Sequence, residues 1–284
     1  MQPLLFCAGG VPALILLAAV SIERWRRKRR GERQPLSEKL LRPAGYSLQR
    51  KLEDLDDSFN GWFMGAFLAS LLAIGTFAIT PKDALSGILF LICFGLGAAA
   101  CAVMAWRRLL DMRMKRMGLL GEQAVAEALQ SLLPLRYQVF HDLPGQDNWN
   151  IDHVVVGPTG VFAVETKYRT KRPGKAGGRD NEAVFDGNRI QFPSSYDADA
   201  PKQADANARW LATMLSKATG ERVTVQPIVA LPGWWVTLKA KSDVKVLSGK
   251  QVSNFIAKEP ARLSDKEIRQ ISFQLEQRCR DVEF

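Results

Sequence analysis

Three side chains that lie near one another in the sequence have types suited to hydrolytic chemistry: Asp152, Glu165 and Lys167. They are carried by Asn150-Ile151-Asp152-His153, an apolar run to Val156, the turn residues Gly157-Pro158-Thr159-Gly160, a second apolar run, and Glu165-Thr166-Lys167. Two apolar runs about a glycine-bounded turn read as a β-hairpin. With Pro158 and Thr159 at the tip, symmetric pairing sets Val156 against Val161 and, further along, Asp152 against Glu165. Lys167 lies two residues on, on the same face. Like charges opposed across a ladder are destabilising, and a cation between them removes the conflict. A hard divalent ion, Mg2+ or Mn2+, takes oxygen ligands from one or two carboxylates and fills its shell with water and phosphate. Phosphodiester cleavage needs that chemistry: a metal to make hydroxide and bear developing charge, and a lysine to orient water or stabilise the phosphorane-like state.

The hairpin needs a frame, and the flanking sequence supplies one. Residues 118–133 read as an amphipathic helix, with Leu120, Ala124, Val125, Ala128, Leu129 and Leu132 at helical spacing. Strands are predicted over 137–142, 150–156 and 161–167, a helix over 202–217, and a buried strand over 225–231 closed by Pro232-Gly233. A strand over 244–247 and a helix from Ser264 to about Arg280 follow, with Ser264-x-x-Glu267 as a capping box.

Asp152 followed by Glu165-Thr166-Lys167 resembles the D...ExK signature of the restriction-endonuclease-like nucleases. Four blocks in order, Gly121-Glu122, Asn150-Ile151-Asp152-His153, the run from Gly160 to Lys167, and Ala200-Pro201-Lys202-Gln203, resemble the nuclease-related domain family, NERD, over residues 119–215. The resemblance implies an α/β fold with an α-β-β-β-α-β core, a mixed sheet flanked by helices. It implies that Asp152 and Glu165 ligate the metal with the Thr166 carbonyl, and that Lys167 is the catalytic lysine. It also implies that Glu122 sits at the site's edge, bound to metal through water or to Lys167, and that Gln203 orients Lys167 or the attacking water. Ile151 stands where the wider superfamily often has proline, and Asn207 where related nucleases can carry an aromatic. On their own, Glu122 also suits the first turn of a helix, and Gln203 an exposed helix position. His153 alternates to the face opposite Asp152, which suits packing or hydrogen bonding better than catalysis.

Hydropathy describes the rest of the chain. Residues 3–22, 61–79 and 85–106 are uncharged, and about 20 residues at about 1.5 Å each cross the roughly 30 Å hydrocarbon core. Three transmembrane helices are therefore expected, the first an uncleaved anchor because its basic cluster, residues 24–33, follows it. That cluster and Arg107, Arg108, Arg113, Lys115 and Arg116 are expected on the cytoplasmic side, with a tight outside turn over 80–84. An integral membrane protein results, expected in the bacterial inner membrane, its N-terminus outside and C-terminal domain cytoplasmic. The expected organisation is a first helix with basic flank (1–33), a cytoplasmic linker (34–58), a transmembrane hairpin (59–116) and a nuclease-related domain (117–284). Gly61 and Gly65 form a GxxxG that could pack helices, and membrane-protein partners or a homo-oligomer fit such a chain.

A formal net charge of +10 and a pI near 9.6 suit nucleic acid or anionic lipid. The juxtamembrane share suits lipid. The remainder includes Arg169, Lys171, Arg172, Lys175 and Arg179, in a glycine-containing stretch after the ExK strand that would hold a phosphate backbone or be a solvated face. Four cysteines without a CxxC pair, and two histidines, leave no zinc framework, and no Walker loop occurs. The expected function is a membrane-anchored, Mg2+-dependent nuclease acting on DNA. The alternative is a nucleic-acid-binding or assembly module whose catalysis is weak or lost.

Overall fold

A computed structural model describes residues 22, 26, 39–79, 84–146, 149–171 and 180–282. The expected first span (apart from Ile22), most of the 24–33 cluster, residues 80–83 of the outside turn, and Arg172, Lys175 and Arg179 lie outside the described residues. The chain divides into two compact units, one containing residues 57–108 and the other residues 40–56 and 109–283.

The first unit holds the apolar parts of two long helices, α1 (Tyr46–Ile79) and α2 (Ala84–Leu129). Phe63, Phe67, Leu68 and Leu72 of α1 and Leu89, Ile92, Leu96 and Trp106 of α2 are exposed. By length and composition, one helix among the described residues could cross a membrane, the helical run Gly87–Leu135. One such helix is found where three spans are expected, and the three are not established. The expected second span forms the latter part of α1, behind a charged first half. A Cβ on Gly65 would lie 3.5 Å from Cys101 Sγ, whereas Gly61 faces open space, so the GxxxG is not a continuous packing seam within this unit.

The second unit is built on a five-stranded mixed sheet of β2 (Gln138–Pro144), β3 (Asn150–Gly157), β4 (Gly160–Thr166), β8 (Val225–Leu231) and β10 (Lys245–Ser248), in the order β10-β8-β4-β3-β2. β4 runs parallel to β8 and antiparallel to β3. The strands read as near-continuous apolar runs because both faces are covered. On one face Val154, Val156, Val161 and Ala163 pack with Leu211 and Leu215 of α3 (Asp199–Thr219) and Ile271 and Leu275 of α5 (Asp265–Cys279). On the other, Val155, Phe162 and Val164 pack with Val125 and Leu129 of α2 and Val252 and Ile256 of α4 (Gln251–Lys258). The Ser264–Glu267 capping box is present at the start of α5.

Several elements differ from the sequence expectation. The helix expected to begin at residue 118 is continuous from Ala84, because nothing between Arg107 and Met117 stops a helix. Four short strands, β5 (Glu182–Phe185), β6 (Ile190–Gln191), β7 (Tyr196–Asp197) and β9 (Trp235–Leu238), make a second sheet in the order β7-β6-β5-β9. Strands of two to four residues are too short for alternation to register. Residues 40–56, part of the expected linker, pack into this unit: β1 (Leu40–Leu41) pairs with β11 (Arg280–Val282), and the Arg42 amide donates to the Cys279 carbonyl (2.9 Å).

Candidate active site

The hairpin has the register its sequence implies, with Val156 opposite Val161 and His153 opposite Val164. The tip is held tightly, since a Cβ on Gly157 would stand 2.1 Å from the Tyr137 ring and Gly160 takes φ +133°. One rung beyond His153–Val164 lie Asp152 and Glu165. There the Asp152 carboxylate substitutes for the backbone ladder, its Oδ2 accepting the Thr166 amide at 2.7 Å. By alternation Asp152 shares the face of Val154 and Val156, and Glu165 that of Val161 and Ala163; these four residues belong to one core cluster. Both acids are nearly buried, at 8% and 6% exposure. β4 is bonded on both sides, and the Lys167 amide continues the parallel ladder to the Ala230 carbonyl (2.9 Å). The Glu-Thr-Lys triplet thus ends a central strand paired on both sides.

Two helices bring further groups. Glu122, 6% exposed, comes from α2, and its Oε2 is buried without a hydrogen-bond partner. Its neighbour Gly121 is required by close approach, since a Cβ there would stand 2.9 Å from Cβ of Tyr168, the residue after Lys167. From α3, the Asn207 side-chain amide donates to Glu165 Oε2 at 3.2 Å. Asn207 thus orients a carboxylate, whereas Gln203, expected to orient Lys167 or the attacking water, is exposed and bonds neither Lys167 nor the acids. The two residues are one turn apart on the same side of the helix, and burial selects the shorter amide, whose nitrogen reaches Glu165.

Asp197 was not anticipated. It is nearly buried; its Oδ1 accepts the Asp199 and Ala200 amides (3.0 and 2.9 Å) at the start of α3. Its Oδ2 meets Arg169 at 2.5 Å and Lys167 Nζ at 3.9 Å. With one oxygen fixed by backbone amides, the other is a fixed anchor for the lysine. An acid just before an apolar-periodic run is a helix-start signal, and Asp197 could have been found that way. Arg169, expected to hold nucleic acid, is engaged by Asp197, and Lys171 is exposed.

The charges are strongly coupled. Burial, reinforced by the Asp152 and Asp142 charges, pushes the Glu122 carboxyl up to about 9. Burial pushes Asp152 up to about 7, against the opposing Thr166 amide and Lys167. Glu165 is raised well above the usual carboxylate range by burial and by the Asp152 charge, with Lys167 opposing. At Asp197, burial works against the charge but is outweighed by the Ala200 amide, Arg169 and Lys167, and its carboxyl is held low. His153 packs on the other face, as expected: its Nδ1 lies 2.8 Å from Nδ1 of His141, and burial keeps both rings below their ordinary pKa.

The donor set fits a hard divalent cation. Asp152 and Glu165 each have one oxygen held by a hydrogen bond and one that accepts none, and the orphaned Glu122 Oε2 lies in the same charge cluster. Among the described residues no group of three or more His, Cys, Asp or Glu side chains is drawn together as a metal cage. Two carboxylates with a main-chain carbonyl and waters form the sort of shell Mg2+ prefers to such a cage.

Residues 117–232 match the family model of the nuclease-related domain. No curated protein matches the chain, nor does any solved structure.

Proposed function

We propose that the protein hydrolyses phosphodiester bonds, DNA being the first substrate to test, a reading supported by the match of residues 117–232 to the nuclease-related domain, which is of the restriction-endonuclease-like kind. In this reading Asp152, Glu165 and the Thr166 carbonyl hold Mg2+ or Mn2+. The observation that carries it is the pair of buried, same-face carboxylates, each with one oxygen bonded and one free. When bound, the cation supplies a Lewis acid that lowers the pKa of water and bears charge on the phosphoryl oxygens. The chain's own residues do the rest. The Thr166 amide and Asn207 fix which oxygen of each carboxylate is free. Lys167, anchored by Asp197, presents its ammonium to the developing phosphoryl charge or to the attacking water. Glu122 holds water or a proton at the rim.

The apolar helix within Gly87–Leu135 supports a membrane-attached form of this enzyme. The basic flank Arg107, Arg108, Arg113, Lys115 and Arg116 supports a cytoplasmic nuclease-related domain. Lys171, with Arg172, Lys175 and Arg179, is proposed to track the phosphate backbone. A second reading is a nucleic-acid-binding module with little turnover, which the basic residues after the ExK strand would serve equally well.

The full chain in detergent, mixed with plasmid and oligonucleotide substrates, distinguishes the two. Metal-dependent cleavage that Lys167→Ala lowers by about 10²–10³, the usual loss for removing a transition-state charge donor, supports the enzyme. DNA binding without turnover supports the module, and unchanged cleavage by Lys167→Ala removes the catalytic assignment.

A further inference from the structure

The strand beside Asp152 carries another buried acid. Asp142 of β2 is fully buried and takes a left-handed backbone conformation, φ +51°, which aspartate tolerates better than most residues but which must be held. The β2–β3 register puts it opposite Asp152, between the rungs His141–His153 and Leu143–Ile151. The backbone turns over at this point, since Phe140 and Leu143, three residues apart, enter the same core cluster.

Donors from three residues converge on this carboxylate. Arg42 Nη1 lies at 2.9 Å, Ser47 Oγ at 2.7 Å, the Ser47 amide at 3.2 Å and Asn150 Nδ2 at 2.8 Å. Arg42 Nη1 also donates to the Asp142 carbonyl (3.1 Å), and Nε and Nη2 grip Asp281 at 2.7 and 2.5 Å. Arg42 and Ser47 belong to the segment that leads into and begins α1, outside the family-matched residues 117–232. The same segment reaches Glu122. A Cβ on Gly45 would stand 2.2 Å from Leu119 and 3.6 Å from Glu122 Oε2, and Leu48 lies 3.2 Å from where a Gly118 Cβ would be.

We propose that residues 40–56 are a strap that completes the candidate active site, with Arg42 acting through Asp142 as a positioning residue for the Asp152 carboxylate. Stability alone does not call for a buried charge at this place, because apolar residues of similar volume hold a fold at least as well. A guanidinium bridging two acids does what an apolar contact cannot: it fixes the backbone turn directly opposite the metal-binding candidate. The working unit is then discontinuous, residues 40–56 together with 109–282. A fragment limited to the family-matched region lacks its strap.

The test uses the full chain in detergent micelles, comparing wild type with Arg42→Ala, Arg42→Lys and the double variant Arg42→Ala/Asp142→Asn. The activity arm rests on the nuclease reading above; backbone hydrogen exchange over β2 and β3 does not. Arg42→Ala is expected to raise the Mg2+ concentration for half-maximal rate and to lower kcat about 10-fold or more at unchanged substrate KM, the scale of losing a group that orients a metal ligand. Exchange over residues 138–157 should quicken while α3 keeps its protection. Arg42→Lys, which cannot bridge two acids with a planar fork, should fall between, and the double variant should recover part of the loss by removing the uncompensated charge. Wild-type Mg2+ dependence and unchanged β2–β3 exchange in Arg42→Ala overturn the proposal. Should that variant not fold, wild-type behaviour of both Arg42→Lys and the double variant overturns it instead. A wild-type chain that cleaves nothing defeats the nuclease reading, while the exchange arm still decides the strap.

Discussion

Asp142 and Asp152 face each other on neighbouring strands, both are buried, and their surroundings differ completely. Asp142 receives hydrogen bonds from Arg42, Ser47 and Asn150, and is neutralised by the guanidinium. Asp152 receives one, from Thr166, and lies beside two other carboxylates, one of which has an orphaned oxygen. Burial of an acid therefore does not by itself mark a functional site. A permanent structural charge is matched by a permanent partner, whereas a group awaiting an exchangeable ligand is left underpaired.

The largest expected effect breaks this contrast by opposite signs. Arg42→Ala strands a buried charge and should cost about 3–5 kcal/mol, read as a lowered denaturation midpoint. Glu165→Gln removes a carboxyl whose ionisation burial and Asp152 disfavour, and should raise the midpoint in alkaline metal-free buffer, though it abolishes Mg2+-dependent stabilisation. Destabilisation by both would mean the two clusters are alike.

A smaller effect concerns pH. Asp152 and Glu122 have folded pKa values raised to about 7 and about 9, and Glu165 shifts the same way. Each favours the protonated form in the folded state, so its stabilising share is complete below the unfolded carboxyl value near 4 and is lost as pH rises through the folded one. Without metal, the thermal midpoint should fall by roughly 4 °C or more between pH 5 and pH 9, where about 1 kcal/mol corresponds to roughly 2–4 °C. Saturating Mg2+ should remove most of that fall. A flat metal-free profile would mean that the acids are hydrated rather than buried.

The smallest effect separates two residues on one helix. Asn207→Ala should lower cleavage about 10-fold by releasing Glu165, the scale of losing an outer-shell partner of a metal ligand, and Gln203→Ala should cost less. The reverse order in paired kcat measurements would restore Gln203 to the orienting role.

Legibility followed the range of the contacts. The hairpin register could be read because the Val-rich alternation and the Gly157-Pro158-Thr159-Gly160 turn are local. The capping box at Ser264 was readable for the same reason. The small second sheet was not, since its strands lie below the length at which a period can be counted. Residues 40–56 looked like a polar linker because their partners are far along the chain: Arg42 meets Asp142 across 100 positions and Asp281 across 239. The Asn207–Glu165 contact was not legible, because spacing alone does not say which amide on a helical face is buried.

Residue order by itself determined the hairpin register that brings Asp152 level with Glu165 over one tight turn, since strand periodicity and turn chemistry act between near neighbours. Which acids acquired partners was settled only when distant elements came together. Asp142 met a guanidinium from β1's end, Lys167 met Asp197 at the start of α3, and Glu165 met Asn207. Charge compensation inside a protein depends on three-dimensional proximity and on exclusion of water, and neither exists until the layers have packed.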